Sequence, residues 1–407
     1  MRMTSTSTAH HSVQVAVIGA GVLGLAVARA ISQTAEVLLL ERHATFGSET
    51  SSRHSEVIHA GLYYPTKSWK AKWCVKGKEL LYHYCRERHI PFQNCGKLIV
   101  ATTQEQWKKD LPRLQQQALR NGVTDVTLIN KEMVQQLEPN VSCVGGALWS
   151  PSTGVLDSQT YMTHLLADAE ADGSSCTMVR CSNVTGARFE NDGTIVLQVD
   201  NDFELHCKHA INCAGLQAAH VAQQIHSHNN NNHSNWTPPR HYFAKGNYFR
   251  LQGLANPFTR LIYPLPEPGG LGVHATIDWS GTSTKFGPNV EWLDPNLDLN
   301  DNHNSNMDGN LYCVSEEQIP QFEHEIRKYW PDLPKDSLVP DYAGIRPKLH
   351  HPSLQHSSPA LEQDFYIAGP KQHHVAGLYH LLGIESPGLT SSMAIADYIA
   401  QQISISS

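Results

Sequence analysis

The sequence predicts an α/β protein carrying an α+β second region: a Rossmann-like nucleotide-binding unit and a second, antiparallel-sheet domain. Three observations lead there. A strand, a glycine-rich turn and a helix without breakers follow one another near the amino terminus. A second strand follows and ends in an acid. Far downstream, β-rich segments alternate with Pro/Gly turns.

Residues 13–18, VQVAVI, have the apolar content of a buried first strand. GAGVLG follows, and then LAVARAIS, which reads as a helix. Gly19, Gly21 and Gly24 therefore form G-x-G-x-x-G at a strand–helix junction. The first glycine permits a tight turn, the second lets backbone approach a pyrophosphate, and the third lets helix and strand pack closely. The helix amino terminus stabilises the anion. The second strand, AEVLLLE at 35–41, ends in Glu41, placed to accept hydrogen bonds from ribose hydroxyls, with Arg42 beside it. The pattern specifies a dinucleotide and leaves FAD and NAD both open.

Residues 66–90 and 103–121 read as helices, EMVQQLEPNV as a helix ending near Pro139, and GGALWSPSTGVLD as a strand and turn entering a helix at 158–171. Short strands alternate with turns over 183–213, ending in HAINCAG. YFAKGNYFRL, TRLIYPLP and GLGVHATIDWSGTSTKFGP predict the second sheet. A helix is expected at 316–330, a β segment at YAGIRPKL, and a final helix over about 391–402. The polar stretches 226–235 (HSHNNNNHSN) and 299–310 (LNDNHNSNMDGN) read as solvent-exposed inserts whose histidine spacing defines no metal shell. The adjacent histidines His373 and His374 are expected at a loop surface.

At 407 residues the chain is long enough for one or two domains. With 31 Lys+Arg against 38 Asp+Glu the formal charge is −7, which opposes non-specific nucleic-acid binding, and no basic stripe offsets it. Nine cysteines without a C-x-x-C pair suit a reducing compartment, so a secreted protein is not expected. The leader MRMTSTSTAHH is a poor mitochondrial presequence by pattern, which leaves mitochondrion and cytoplasm both open. No motif calls for a metal.

The stretch SSRHSEVIHAGLYYP, 51–65, packs two serines, an arginine, two histidines and paired tyrosines behind the nucleotide unit. From composition and spacing alone it is a conspicuous loop. Together with CGKLIVA, CAGL, KGNYFRL, IYPLP, LGVH, GPNVEW, YAGIRPK and LLGIESPGLTSSMAIA, it resembles the D-amino-acid-oxidase-like FAD-dependent oxidoreductases over about residues 13–402. Within them the chain is most similar to the L-2-hydroxyglutarate dehydrogenase/oxidase group.

The resemblance implies FAD as cofactor and a substrate domain whose antiparallel sheet covers the flavin. It divides the chain into FAD-binding parts at 13–90, 151–237 and 341–402 and substrate-domain parts at 91–150 and 238–340. Ser51, Ser52 and Arg53 match the segment beside the cofactor, and Gly215 the glycine of the CAG approach. Gly383, Ile384, Glu385, Ser386, Gly388, Leu389 and Thr390 match the flavin-side loop and the start of the last helix. The implied reaction is oxidation of L-2-hydroxyglutarate to 2-oxoglutarate by hydride transfer to flavin N5. That chemistry needs a base for the hydroxyl proton and a cation for the carboxylate. His59 and His274 are the candidate acid/base residues. Arg346, in GIRP, matches the arginine that holds a substrate α-carboxylate, and Lys245, Arg260, Arg53 and Tyr63 or Tyr64 are candidates for the far carboxylate.

Other activities on the same scaffold are oxidation of an amino acid, a secondary amine or glycerol 3-phosphate. A different class is a catalytically silent flavoprotein that serves as an interaction surface. A quinone, an electron-transfer protein and oxygen are all compatible acceptors, and so is peripheral membrane contact through an apolar patch.

Overall fold

The computed structural model describes residues 11–200, 203–227, 236–265, 272–299, 311–354 and 364–403. Strand His11–Ile18 lies inside an eight-stranded sheet, parallel to Val37–Leu40 on one side and to Phe203–Asn212 on the other. Val15, Ala16 and Val17 are wholly buried, which is why this strand is continuously apolar rather than alternating. Cys176–Val179 extends the sheet beyond Val37–Leu40, while Ile195–Val199 and Val184–Phe189 extend it beyond Phe203–Asn212. Leu378–Leu382 joins parallel to the end of Phe203–Asn212. Helices Val22–Ser32, Trp69–Glu87, Ser158–Ala169 and Gly388–Gln402 share one hydrophobic core with this sheet. Gly77 lets two of them meet closely, since a Cβ there would lie 2.2 Å from the Thr390 carbonyl oxygen.

The second sheet has nine strands. Tyr242–Leu251 pairs antiparallel with Leu338–Lys348 along most of its length and also contacts Thr284–Phe286 and Glu291–Trp292. The sheet continues through Ala275–Ile277 and Leu261–Pro264 to Lys97–Val100, Gly146–Ser150 and Thr127–Asn130. The expected antiparallel sheet is in fact mixed, because Leu261–Pro264 runs parallel to Lys97–Val100. This parallel pair joins strands more than 150 positions apart in the chain, which local patterning cannot reveal. The domain boundary placed at 340/341 is also corrected: it falls inside Leu338–Lys348, a single strand of the second sheet.

A small sheet of Val57–Ile58, Gly154–Leu156 and Phe92–Gln93 sits between the two cores. Ile58 and Leu156 belong to the first core, Val57 and Val155 to the second. Alternate side chains of these strands thus tie the two sheets together.

Two expectations about polar segments need correction. Residues 228–235 and 300–310 lie outside the described residues, but His226 and Ser227 end the helix Ala218–Ser227, and His226 is half-buried. His373 is buried rather than at a loop surface, its ring centroid 5.3 Å from His226, 5.5 Å from His380 and 5.4 Å from Trp236. Only His374 is exposed. None of the nine cysteines is in a disulfide.

Candidate active site

An elongated cavity runs between the sheets from Glu41 and Asn183, past Gly19 and Ser51, to His59, His274 and Arg346. At its start the Glu41 carboxylate accepts hydrogen bonds from the backbone amides of Ala20 and His43, both at 2.8 Å. These bonds fix the carboxylate at the strand end with acceptor capacity to spare. Arg42 also lines this end and is paired with Glu49. Gly19 turns at φ +96°, where a Cβ would strike the Cys213 carbonyl oxygen at 2.8 Å. Gly24 does not line the cavity. It lets the helix rest on the turn, since a Cβ there would meet the Gly19 oxygen at 1.8 Å.

The helix Val22–Ser32 has neither an acid in its first turn nor a side-chain cap at Gly21. Its positive end therefore faces the cavity without an anion of its own. The Ser51 hydroxyl accepts from the Val22 amide at 3.0 Å. Gly215, at φ +54°, has open space where a Cβ would project. Arg53 lines the cavity, and its buried Nε lacks a hydrogen-bond partner. A long cradle with a ribose-type acid, a helix amino terminus and an unsatisfied guanidinium nitrogen fits the dinucleotide that the sequence pattern requires. Ser52 is not part of this cradle, being exposed and bonded to the Glu49 carbonyl.

At the other end, the loop 384–389 and the start of the helix Gly388–Gln402 form one wall. Burial opposes charge on Glu385, but Lys70 and Lys348, bridged to it at 3.1 and 2.7 Å, outweigh burial and hold the carboxyl below its ordinary value. Gly383 and Thr390 stand behind this wall rather than in it. Gly383 donates its amide to His241 at 3.0 Å, and the Thr390 hydroxyl accepts from the His59 amide at 3.0 Å while donating to the Val57 carbonyl. Thr390 thus holds the His59 backbone and does not line the cavity.

His59 and His274 converge on this end, as does Arg346. Burial first, then the charge of Lys97 and the neighbouring His54, lower the His59 pKa to about 3. Burial, Lys97, His59 and Arg346 push His274 well below its ordinary value. Both imidazoles are therefore neutral and able to accept a proton. The Ser386 hydroxyl lies 3.3 Å from His59 Nε2, and the His274 ring stacks on Tyr263 with centroids 3.6 Å apart. The Arg346 guanidinium is anchored by Nη2 donating to the Asn289 carbonyl at 2.9 Å.

Three other candidates do not line the cavity. Lys245 neighbours Gly246 on one strand, and the pleat sends its side chain to the opposite face, where Nζ donates to the Cys313 carbonyl at 2.6 Å. Arg260 is held at 3.3 Å by Glu138 and also donates to the Leu137 carbonyl. Tyr63 is partly exposed, its ring 5.0 Å from Lys97 Nζ. Sequence reasoning missed the cavity-lining Tyr248 and Tyr263 and the buried Lys97 near them. The tyrosines occupy alternate positions of apolar strands, so they read as core. The one available signal was Lys97, a charge inside the apolar run CGKLIVA.

Comparison with known proteins follows the same lines. Residues 14–402 match the family described as FAD dependent oxidoreductase (DAO). The chain is 42% identical to "L-2-hydroxyglutarate dehydrogenase, mitochondrial" of Arabidopsis thaliana, over 97% of this chain and 84% of the relative. It is 28% identical to the Homo sapiens protein of the same name, over 98% and 90% of the two chains. Among solved structures, the L-alpha-glycerophosphate oxidase of Mycoplasma pneumoniae with FAD bound shares the fold, with a TM-score of 0.79 at 23% identity over 96% and 94% of the chains. With the cradle and the whole-length match in agreement, the chain belongs to the DAO family of FAD-dependent oxidoreductases.

Proposed function

We propose that this protein oxidises L-2-hydroxyglutarate to 2-oxoglutarate. The observation that carries the reading is the meeting of two neutral imidazoles and an anchored guanidinium at one end of the dinucleotide cavity. The similarity over nearly the whole length to relatives named for that substrate supports it.

When bound, FAD would supply the acceptor for the hydride that leaves C2. Glu41 would hold the ribose, and Gly19, Gly21, Ser51 and the first helix amino terminus would hold the pyrophosphate. Gly215 and the 384–389 loop would receive the remainder. Arg346 grips the C1 carboxylate with the N–H groups left over from its bond to Asn289, and its planar fork fixes the orientation of C2. His59 takes the hydroxyl proton at Nε2 once the substrate hydroxyl displaces the Ser386 hydroxyl that lies 3.3 Å from that atom. His274, held flat against Tyr263, orients the same hydroxyl. Together the departing proton and hydride carry one electron pair and leave a ketone at C2.

An anaerobic absorbance titration of the yellow holoenzyme tests this. Bleaching by the L enantiomer with release of 2-oxoglutarate, and none by the D enantiomer, is the expected result. Reduction by glycerol 3-phosphate or an amino acid instead would overturn the substrate.

The acceptor is a quinone, an electron-transfer protein or oxygen, and reoxidation rates of the reduced enzyme with each identify it. No helix among the described residues is long and apolar enough to cross a membrane. The plant and human relatives carry "mitochondrial" in their names, and we propose that compartment, with cytoplasm as the alternative. Fluorescence microscopy of the tagged full chain separates the two.

A further inference from the structure

Lys97 is a buried cation that the chemistry above leaves unused. It is 1% exposed, at the start of strand Lys97–Val100. In the parallel register with Leu261–Pro264, Ile99 lies opposite Tyr263, so the pleat puts Lys97, Ile99 and Tyr263 on one face of the sheet. Tyr263 lines the cavity, and Lys97 stands against its ring just behind the cavity wall. Lys97 Nζ lies 4.5 Å from the Tyr263 ring centroid and 5.0 Å from that of Tyr63. Tyr263 in turn stacks on His274. Among the described residues no carboxylate lies within 4.0 Å of this ammonium and no hydrogen bond engages it.

Burying an ammonium against aromatic faces without an anion is costly. Burial accordingly draws the Lys97 pKa down to about 7. Such a cost is tolerated where a ligand brings the missing charge. Arg346 already answers one carboxylate, and the leading substrate has two.

We propose that Lys97 is the counter-ion of the substrate's second carboxylate and selects dicarboxylic over monocarboxylic 2-hydroxy acids, with Tyr263 walling that end and Tyr63 packed against the ammonium from outside the cavity. This rests on the 2-hydroxy-acid reading of the site. It also gives the imidazoles a substrate-dependent partner: Lys97 helps keep His59 and His274 neutral, and an arriving carboxylate offsets its charge, which strengthens His59 as a base when substrate is present.

The test uses holoenzyme and two unreactive ligands of equal length, glutarate and pentanoate, titrated calorimetrically. Wild type is expected to bind glutarate more tightly. Lys97→Met should weaken glutarate about 10- to 100-fold, the scale of a lost charged hydrogen bond, and leave pentanoate unchanged. Lys97→Gln, closer in size and polarity, carries the same comparison should the methionine variant lose FAD. In turnover, the preference for L-2-hydroxyglutarate over L-2-hydroxypentanoate should collapse through KM. A wild type without glutarate preference, or folded variants that keep it, would overturn the assignment. Reduction by L-2-hydroxyglutarate with an unchanged preference in the variants sinks Lys97 alone. A Lys97-dependent glutarate preference without that reduction sinks only the substrate.

Discussion

Burial, Lys97 and His54 keep the His59 ring neutral, and the residues packed round it fix its place. Ile58 and Ala60 are wholly buried on either side of it, Thr390 fixes its amide, and the Ser386 hydroxyl meets its ring. His59→Gln should retain FAD, as seen by absorbance, while kcat falls about 10²- to 10⁴-fold, the usual scale for a lost general base. His274→Gln should act chiefly on KM, since that ring orients the hydroxyl. A larger kcat loss at His274 would exchange the two roles. These histidines and Arg346 could be named from sequence because they stand in distinctive local strings, GIRP and IHAGLYYP among them. Lys97, Tyr248 and Tyr263 could not, because a residue within an apolar strand declares nothing about the face it occupies.

At the level of elements, the pleat of Tyr242–Leu251 decides which residues reach the site. Tyr248 lines the cavity, and Arg346 from the neighbouring strand packs where a Gly246 Cβ would project. Lys245 lies one residue out of phase and is turned away. Local composition made Lys245 a fair candidate for the substrate; strand parity removed it. Gly246 has a definite job, since a Cβ there would lie 2.1 Å from Arg346 Nη2. The same Cβ would also lie 2.7 Å from Pro288 Cβ on a rigid ring, so Gly246→Ala should lower the Tm as well as push the Arg346 tip aside. It should raise KM about 10-fold or more by displacing the carboxylate fork. An unchanged KM would mean that Arg346 does not clamp the substrate. The same reasoning explains Arg260, which sequence placed near the substrate but which neutralises the buried Glu138 instead.

Across the whole molecule, buried neutral histidines set the acid limit of stability. Burial lowers His59 to about 3 and His241 to about 4, and it also brings His226 and His373 to about 4. Each folded value lies below the unfolded one near 6.5, so between these limits the unfolded chain binds more protons. Stability is therefore unaffected by these groups above about pH 6.5 and falls as the pH drops toward 4. His59 and His241 each contribute up to about 1.4 kcal/mol per pH unit in that window, and the half-buried His226 contributes less. Thermal unfolding at pH 7 and pH 4.5 should show a clearly lower Tm in acid, and a flat Tm would contradict the histidine assignment. By itself the sequence determined the nucleotide unit, because strand, glycine turn, helix and terminal acid are contiguous and each obeys a local rule. Its motifs also placed His59, His274 and Arg346 in one site. The tertiary structure alone decided that Leu338–Lys348 belongs wholly to the second sheet, that Lys97–Val100 joins that sheet in parallel, and that Lys97 stands against Tyr263. Those outcomes depend on pairing register and on the facing of side chains between segments far apart in the chain, and no local pattern carries that information.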